Sequence, residues 1–382
     1  MLPSSATWRC GNTISKRCWQ RYRPVQAAPT SRHERHYSSN AKTSPRIIFS
    51  GIQPTGVPHL GNFLGALRQW VKFQNEAETD TRLIYSLVDL HAITIRQDPQ
   101  KLREQKQQSL ATLLAIGLDP KRSIIFHQSD VPAHSELMWI LSCQASTGYL
   151  SRMTQWKDKT SNSRENSERL KLGLFSYPVL QAADVLVHRT THVPVGHDQA
   201  QHLEFAREVA IGFNSVFGED VLVPPETLIS PAKRVMSLND PTVKMSKSHP
   251  LPKSRILLTD SDKEIKNKIN AAVTDSEYTF SYDPEKRPGV SNLFELLYHM
   301  TADEHQRAMD EFQDELQGAT MPAFKAKVIE GVQATLKPIR ERYEEVMSQP
   351  RTLDEVARDG AVKATESADR TLTDVKRAVG LL

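Results

Sequence analysis

From Arg46 onward, short apolar runs alternate with stretches of helical spacing, and this rhythm restricts the chain more than any other feature. Residues 47–50, 83–88 and 123–127 read as buried strands, because brief apolar runs bounded by polar residues suit a strand covered on both faces. Between them, residues 60–75, 100–116 and 133–145 repeat apolar side chains at helical intervals. Strand, helix, strand, helix in this order predicts a doubly wound parallel sheet, whose ligand crevice lies at the carboxyl ends of the strands. Residues 157–171 are polar and without periodicity, so the expectation there is a mobile loop. Beyond Asp260 the pattern turns helical and charged, over residues 263–273, 292–300, 304–316 and 323–346, and predicts a second, all-helical region.

Charge is unevenly spread. Residues 1–45 hold eight Lys and Arg against the single acid Glu34, a net +7, whereas the remaining chain holds 41 basic and 44 acidic residues, a net −3. The basic pI of 8.8 therefore belongs to the leader, and any nucleic-acid contact must come from local patches. The leader is rich in Arg and Ser and nearly free of acid, the composition of a mitochondrial presequence, and it lacks the apolar stretch of a secretory signal. It is expected to be removed in the matrix. No apolar run reaches the ~20 residues a membrane helix requires, so a soluble protein is expected. Cys10, Cys18 and Cys143 show no metal-ligand spacing and no disulfide framework.

Two motifs carry chemistry. Directly after the first strand, Pro54-Thr55-Gly56-Val57-Pro58-His59-Leu60-Gly61-Asn62 runs into a helix. Glycines let backbone approach a phosphate, and a helix N-terminus offers unpaired N–H groups and a favourable dipole. The spacing is neither a Walker loop nor a GxGxxG turn. Far downstream, Lys244-Met245-Ser246-Lys247-Ser248 places two ammonium groups on a loop that can close over a triphosphate.

The first motif resembles the HIGH signature of class I aminoacyl-tRNA synthetases, and the second matches their KMSKS loop letter for letter. The intervening blocks, among them Phe49 to Pro54, Gly65 to Trp70, Met153-Thr154-Gln155, Val193 to Gly196 and Ala271 to Ser276, resemble bacterial tryptophanyl-tRNA synthetases over nearly everything after residue 46. This resemblance implies a Rossmann-like catalytic domain at 46–255 and an anticodon-binding helical domain at 256–382, following a targeting segment at 1–45. By position, Gln53, His59, Leu60, Gly61, Asn62, Gly196, His197, Asp198, Gln199, Val235, Lys244, Met245, Ser246, Lys247 and Ser248 fall on the family's ATP site, and Lys159 on a phosphate-contacting lysine. Phe49, His91, Tyr177, Gln181, Asp184, Val193 and Val195 fall around the indole. For the apolar members, Val235 above all, core packing is the competing explanation. The chain departs from the bacterial pattern at His59, Leu90, Gln181 and His197, where Thr, Gln, Met and Glu are expected.

Specificity has a physical argument of its own. Tyr177, Gln181 and Asp184 stand at i, i+4 and i+7, so one helical face presents them together. An Asp among Val, Leu and Ala needs a donor if buried, and an indole N–H can only donate. A structural Asp bonded within the protein is the alternative.

The implied reaction joins tryptophan to tRNA(Trp) through an adenylate. ATP is a substrate, Mg2+ rides mainly on its phosphates with no protein metal site, and Lys244, Lys247 and Lys159 stabilise the phosphate charge. A homodimer is implied, with no membrane partner. The competing readings are a tyrosyl enzyme, whose substrate hydroxyl both donates and accepts, a small nucleotidylyltransferase, which would have no use for the long helical region, and a non-catalytic paralogue. Arg35-His36-Tyr37-Ser38 resembles a matrix-protease site cut after Tyr37. N-terminal sequencing of the protein recovered from mitochondria is expected to begin at Ser38; a retained Met1 or Leu2 would contradict the presequence.

Overall fold

The computed structural model describes residues 45–161, 171–196, 199–218, 220–229, 235–247, 249–301 and 308–382, with backbone alone for 158–161 and 229. The basic leader thus lies outside the described residues, as do His197, Asp198 and Ser248. Residues 45–382 form one compact unit.

The chain opens with β1 (Ile47–Ile52), turns through Gly56 at φ +87°, and enters α1 (Leu60–Asn62). A π-helical turn, Phe63–Leu67, joins α1 without a break to α2 (Arg68–Glu76). Such π turns often occur at functional sites. Next come β2 (Arg82–Leu87), the single turn α3 (Asp89–Ala92), and α4 (Pro99–Ala115). α4 starts where it does because the Asp98 side chain accepts from Lys101 N at 2.8 Å and Pro99 occupies the first turn, where no N–H partner is lost. β3 (Ile124–His127) is followed by α5 (Ala133–Ser142), α6 (Thr147–Arg152), α7 (Thr154–Ser161) and α8 (Leu172–Leu186). β4 (His192–Val195), α9 (Ala200–Phe217) and β5 (Glu226–Ile229) complete the sheet. The remainder is helical: α10 (Asp262–Asn270), α11 (Pro288–Met300), α12 (Met309–Asp314), α13 (Met321–Met347) and α14 (Pro350–Ala378).

All five strands run parallel in the order β3-β2-β1-β4-β5. Strand order therefore reverses at β1, between its pairing with β2 on one side and β4 on the other. This is the switch point, where the loops leaving β1 and β4 diverge to opposite faces and open a crevice. The two-residue alternation of the strands divides the core. Ile48, Leu83, Tyr85, Leu87 and Ile125 face α1, α2, α4, α10, α11 and α13, whereas Ile47, Phe49, Ile84, Phe126 and Val193 face α5, α8 and α9.

One sequence expectation changes here. Residues 157–161 continue α7 as helix, so Lys159 sits on a helix and not in the expected loop; residues 162–170 lie outside the described part. The helical region expected at 256–382 runs on through α14, which does not stay with the other C-terminal helices. Leu353 packs into the first core, whereas Ala364, Ala368, Leu372 and Val375 pack into the second, so α14 crosses the edge of β3 from one face of the sheet to the other. At the crossing, a Cβ added to Gly360 would stand 1.8 Å from the backbone oxygen of Ile125. The helix thereby covers an edge that would otherwise be open to pairing.

That crossing tolerates no side chain. Gly360→Ala is expected to lower stability by about 2–4 kcal/mol, because the opposing atom is backbone and the helix must lift away. An unchanged urea midpoint would contradict this packing.

Candidate active site

The loop after β1 is built as an anion-facing helix start. His59 caps α1: its Nδ1 accepts from Asn62 N at 3.3 Å, and its own N–H donates to Asn62 Oδ1 at 3.2 Å. Burial, with Lys247, Arg255 and Lys244 nearby, pushes the imidazole down to about 3, so His59 is neutral at physiological pH. With Nδ1 accepting, the ring proton sits on Nε2. Gly61 is required beside it, since a Cβ there would lie 2.9 Å from His59 Cε1.

The downstream loop is laced to this one. His59 bridges Leu257 antiparallel, Leu60 N donates to Ile256 O at 2.9 Å, and Leu258 N donates to Pro58 O at 3.0 Å. Residues 235–245 form a narrow hairpin: Met245 N donates to Val235 O at 3.0 Å and Ser237 N to Val243 O at 2.8 Å. Asn292 of α11 fastens it by accepting from Met236 N at 3.0 Å and donating to Met236 O at 3.2 Å. Beyond the hairpin, Lys247 Nζ donates to Gly56 O at 2.8 Å, which brings the two motifs into direct contact. Burial, with Arg255 close by, lowers the Lys247 ammonium to about 8. The Leu60 and Met245 side chains are core residues, at 0% and 2% exposure, so packing accounts for them. Lys244 is exposed.

At the switch point lies a cleft of about 350 Å³. It gathers Phe49, Gln53, His91, Tyr177, Gln181, Asp184, Val193, Val195, Gly196 and Gln199, which puts the whole indole set predicted from sequence into one place. The helical spacing of Tyr177, Gln181 and Asp184 on α8 does present them together. Gln53, Gly196 and Gln199, assigned by resemblance to the nucleotide, line the same cleft. Gln199 accepts from Gln181 Nε2 at 3.3 Å and lies 3.1 Å from His202 Nδ1. Tyr177 Oη donates to Gln155 Oε1 at 2.8 Å, and burial raises its phenol to about 12.

Asp184 is the electrostatic centre of the cleft. It is 2% exposed, and three side chains surround its carboxylate: His91 Nε2 at 2.7 Å from Oδ2, and Gln128 Nε2 at 2.6 Å and His134 Nδ1 at 2.7 Å from Oδ1. Burial opposes its charge, but hydrogen bonds from His134 and His91 prevail and hold the carboxyl well below the usual carboxylate range. Oδ1 thus has two partners and Oδ2 one, leaving acceptor capacity on Oδ2 for a further donor. The Gln128 amide cannot turn over, because its Oε1 accepts from Leu90 N at 3.1 Å. The tie extends along the strand ends, where Asp89 accepts from Ser129 N at 2.9 Å and pairs with Lys106 at 2.6 Å. Sequence reasoning missed Gln128, His134, Gln155 and His202. Gln128 had a signal, as the first residue past β3, where chemistry is expected in such a sheet.

The chain matches the family model for class I tRNA synthetases (W and Y) over residues 41–337. It is 43% identical over 343 residues to the tryptophan–tRNA ligase of Corynebacterium glutamicum, covering 90% of this chain and 96% of that one. It is 41% identical over 347 residues to the mitochondrial tryptophan–tRNA ligase of Schizosaccharomyces pombe, covering 87% and 95%. The crystal structure of tryptophanyl-tRNA synthetase from Campylobacter jejuni complexed with ADP and tryptophan superimposes with a TM-score of 0.72 at 33% identity, covering 88% of this chain and 99% of that one. With one compact α/β unit holding both signature motifs in contact, the chain belongs to the class I tRNA synthetases of the tryptophan and tyrosine type.

Proposed function

We propose that this chain activates L-tryptophan with ATP to tryptophanyl-adenylate and transfers the acyl group to tRNA(Trp), acting in mitochondria. The observation that carries the choice of amino acid is the buried, ionised Asp184, with lone-pair capacity left on Oδ2 in a cleft lined by Phe49, His91, Val193 and Val195. An indole N–H donates and cannot accept, so it complements that oxygen. At the polar end, Tyr177, Gln155 and Gln199 bring oxygens that suit an α-ammonium group.

Activation needs no protein nucleophile: the tryptophan carboxylate attacks the α-phosphate and pyrophosphate leaves. The work is positioning and charge stabilisation. Lys247, already drawn against the first loop, and Lys244 supply positive charge to the phosphates, and the α1 N-terminus adds a favourable dipole. Neutral His59 offers a donor there without adding charge. In our reading Lys159, His197, Asp198, Ser246 and Ser248 complete the nucleotide site, with Gln53, Gly61, Asn62, Gly196 and Val235 framing it. Mg2+ rides mainly on the triphosphate in this reading; among the described residues no group of three acidic, His or Cys side chains could hold a metal ion. We assign residues 46–255 to catalysis and 256–382 to the anticodon, in a homodimer.

The mitochondrial relative and the Arg-rich leader support the matrix assignment, although bacterial relatives are equally similar. No helix among the described residues is long and apolar enough to cross a membrane.

Lys247→Ala is expected to depress tryptophan-dependent pyrophosphate exchange roughly 10²- to 10³-fold, with tryptophan affinity unchanged. Unaltered exchange would remove Lys247 from the phosphates. The Lys247 ammonium is charged below about 8 and neutral above it, so kcat/KM for ATP should fall as pH rises through about 8. Lys247→Arg, which stays charged, should abolish that alkaline fall even if it lowers the plateau; a fall that persists belongs to another group. Asp184→Asn is expected to lower kcat/KM for tryptophan by about 10- to 100-fold by removing a charged acceptor.

A further inference from the structure

Behind Asp184 a line of buried polar groups leads away from the cleft to the last helix. His134 Nε2 lies 3.3 Å from His188 Nε2, and His188 Nδ1 lies 3.2 Å from Ser367 Oγ on α14. His134, His188 and Ser367 are 0%, 1% and 7% exposed. The His188 ring also stacks on Phe49, centroid to centroid at 5.7 Å, so it backs the apolar wall of the same cleft.

The protons in this line can be placed by counting donors and acceptors. The Asp184 carboxylate only accepts, so His134 Nδ1 must donate to Oδ1. With a single proton on the His134 ring, Nε2 is then an acceptor, and His188 Nε2 donates to it. His188 Nδ1 is left as an acceptor, and the Ser367 hydroxyl donates to it. Each bond thus fixes the tautomer of the next ring. Without the Ser367 hydroxyl, His188 Nδ1 is left buried with no partner, and the His134–His188 bond alone holds the Nε2–H form of His188. The other tautomer sets lone pair against lone pair at His134, or turns His134 so that a bare nitrogen faces the carboxylate.

We infer that Ser367, His188 and His134 are positioning residues for tryptophan recognition, a directed line of hydrogen bonds through which the C-terminal helix holds the Asp184 carboxylate in the orientation that leaves Oδ2 for the indole N–H. The inference rests on Asp184 being the indole acceptor. Burial keeps His188 well below the usual histidine range, which agrees with a neutral ring in the line. It also gives α14 a second role. The helix that covers the edge of β3 reaches the substrate cleft through one hydroxyl.

The test is steady-state pyrophosphate exchange on the full chain with Ser367→Ala, Ser367→Thr, His134→Asn, the Ser367→Ala/His134→Asn pair, and Asp184→Asn. Ser367→Ala should raise KM for tryptophan by about 3- to 10-fold, the worth of one buried hydrogen bond. Its kcat and its KM for ATP should stay within about twofold of the parent, since the phosphates are handled elsewhere. Ser367→Thr, which keeps the hydroxyl, should restore KM. His134→Asn can still donate to Asp184 but severs the line, so adding Ser367→Ala to it should change nothing more. Ser367→Ala with parental KM for tryptophan, or with a penalty that simply adds to that of His134→Asn, would overturn the inference. If Asp184→Asn itself leaves KM for tryptophan unchanged, the assignment of Asp184 fails and takes the inference with it; if Asp184→Asn raises KM and Ser367→Ala does not, only the inference fails.

Discussion

Burying a carboxylate in an apolar cleft costs several kcal/mol unless its oxygens are satisfied, and the architecture around Asp184 answers that cost from three directions. His91 comes from the turn after β2, Gln128 from the turn after β3, and His134 from the start of α5. These groups converge only because parallel strands deliver their carboxyl-end loops to one edge of the sheet, with α8 lying across them. The charge is therefore fixed before any substrate arrives, and selecting an amino acid becomes a matter of which donor complements one remaining oxygen face. A preset acceptor of this kind rejects a group that cannot donate there, because an unmade hydrogen bond in a buried site is expensive.

The phosphate side is built on different physics. A short helix start, a neutral histidine, Lys244 on the hairpin and Lys247 just beyond it approach one another, with backbone bridges from residues 256–258 to 58–60 holding the first loop. Lys247 rests on a backbone carbonyl, not on a carboxylate, so it can exchange that neutral partner for phosphate oxygens without breaking an ion pair. The amino-acid side is rigid and specific, whereas the nucleotide side is held by bonds that can be traded.

How much of this could be read from the chain depended on whether the signal was local. β1, β2 and β3 were legible as apolar runs, and α8 as a helix whose face carries Tyr177, Gln181 and Asp184, because each pattern lies within one segment. β4 was not read as a strand: four residues that include His192 and Pro194 make a poor strand signal, and only pairing with β1 and β5 makes them one. α14 falls inside the helical region expected at 256–382, but its path across the sheet was not legible, because much of its buried face is small, Gly360, Ala364, Ser367 and Ala368, and close contact of small residues leaves little apolar signal. Gln128 and His134 are ordinary polar residues in sequence, and their role exists only once α8 crosses over them. Lys159 reads as loop because its surroundings are polar, yet a polar helical turn looks the same in sequence.

The account stands on the amino acid that Asp184 selects, and the most direct measurement is exchange of pyrophosphate into ATP with residues 38–382 offered each of the twenty amino acids. Exchange supported by tryptophan, with tyrosine and phenylalanine silent, is the result this structure predicts. Exchange with tyrosine in place of tryptophan would contradict the assignment of the cleft, and silence with all twenty would contradict the assignment of an enzyme.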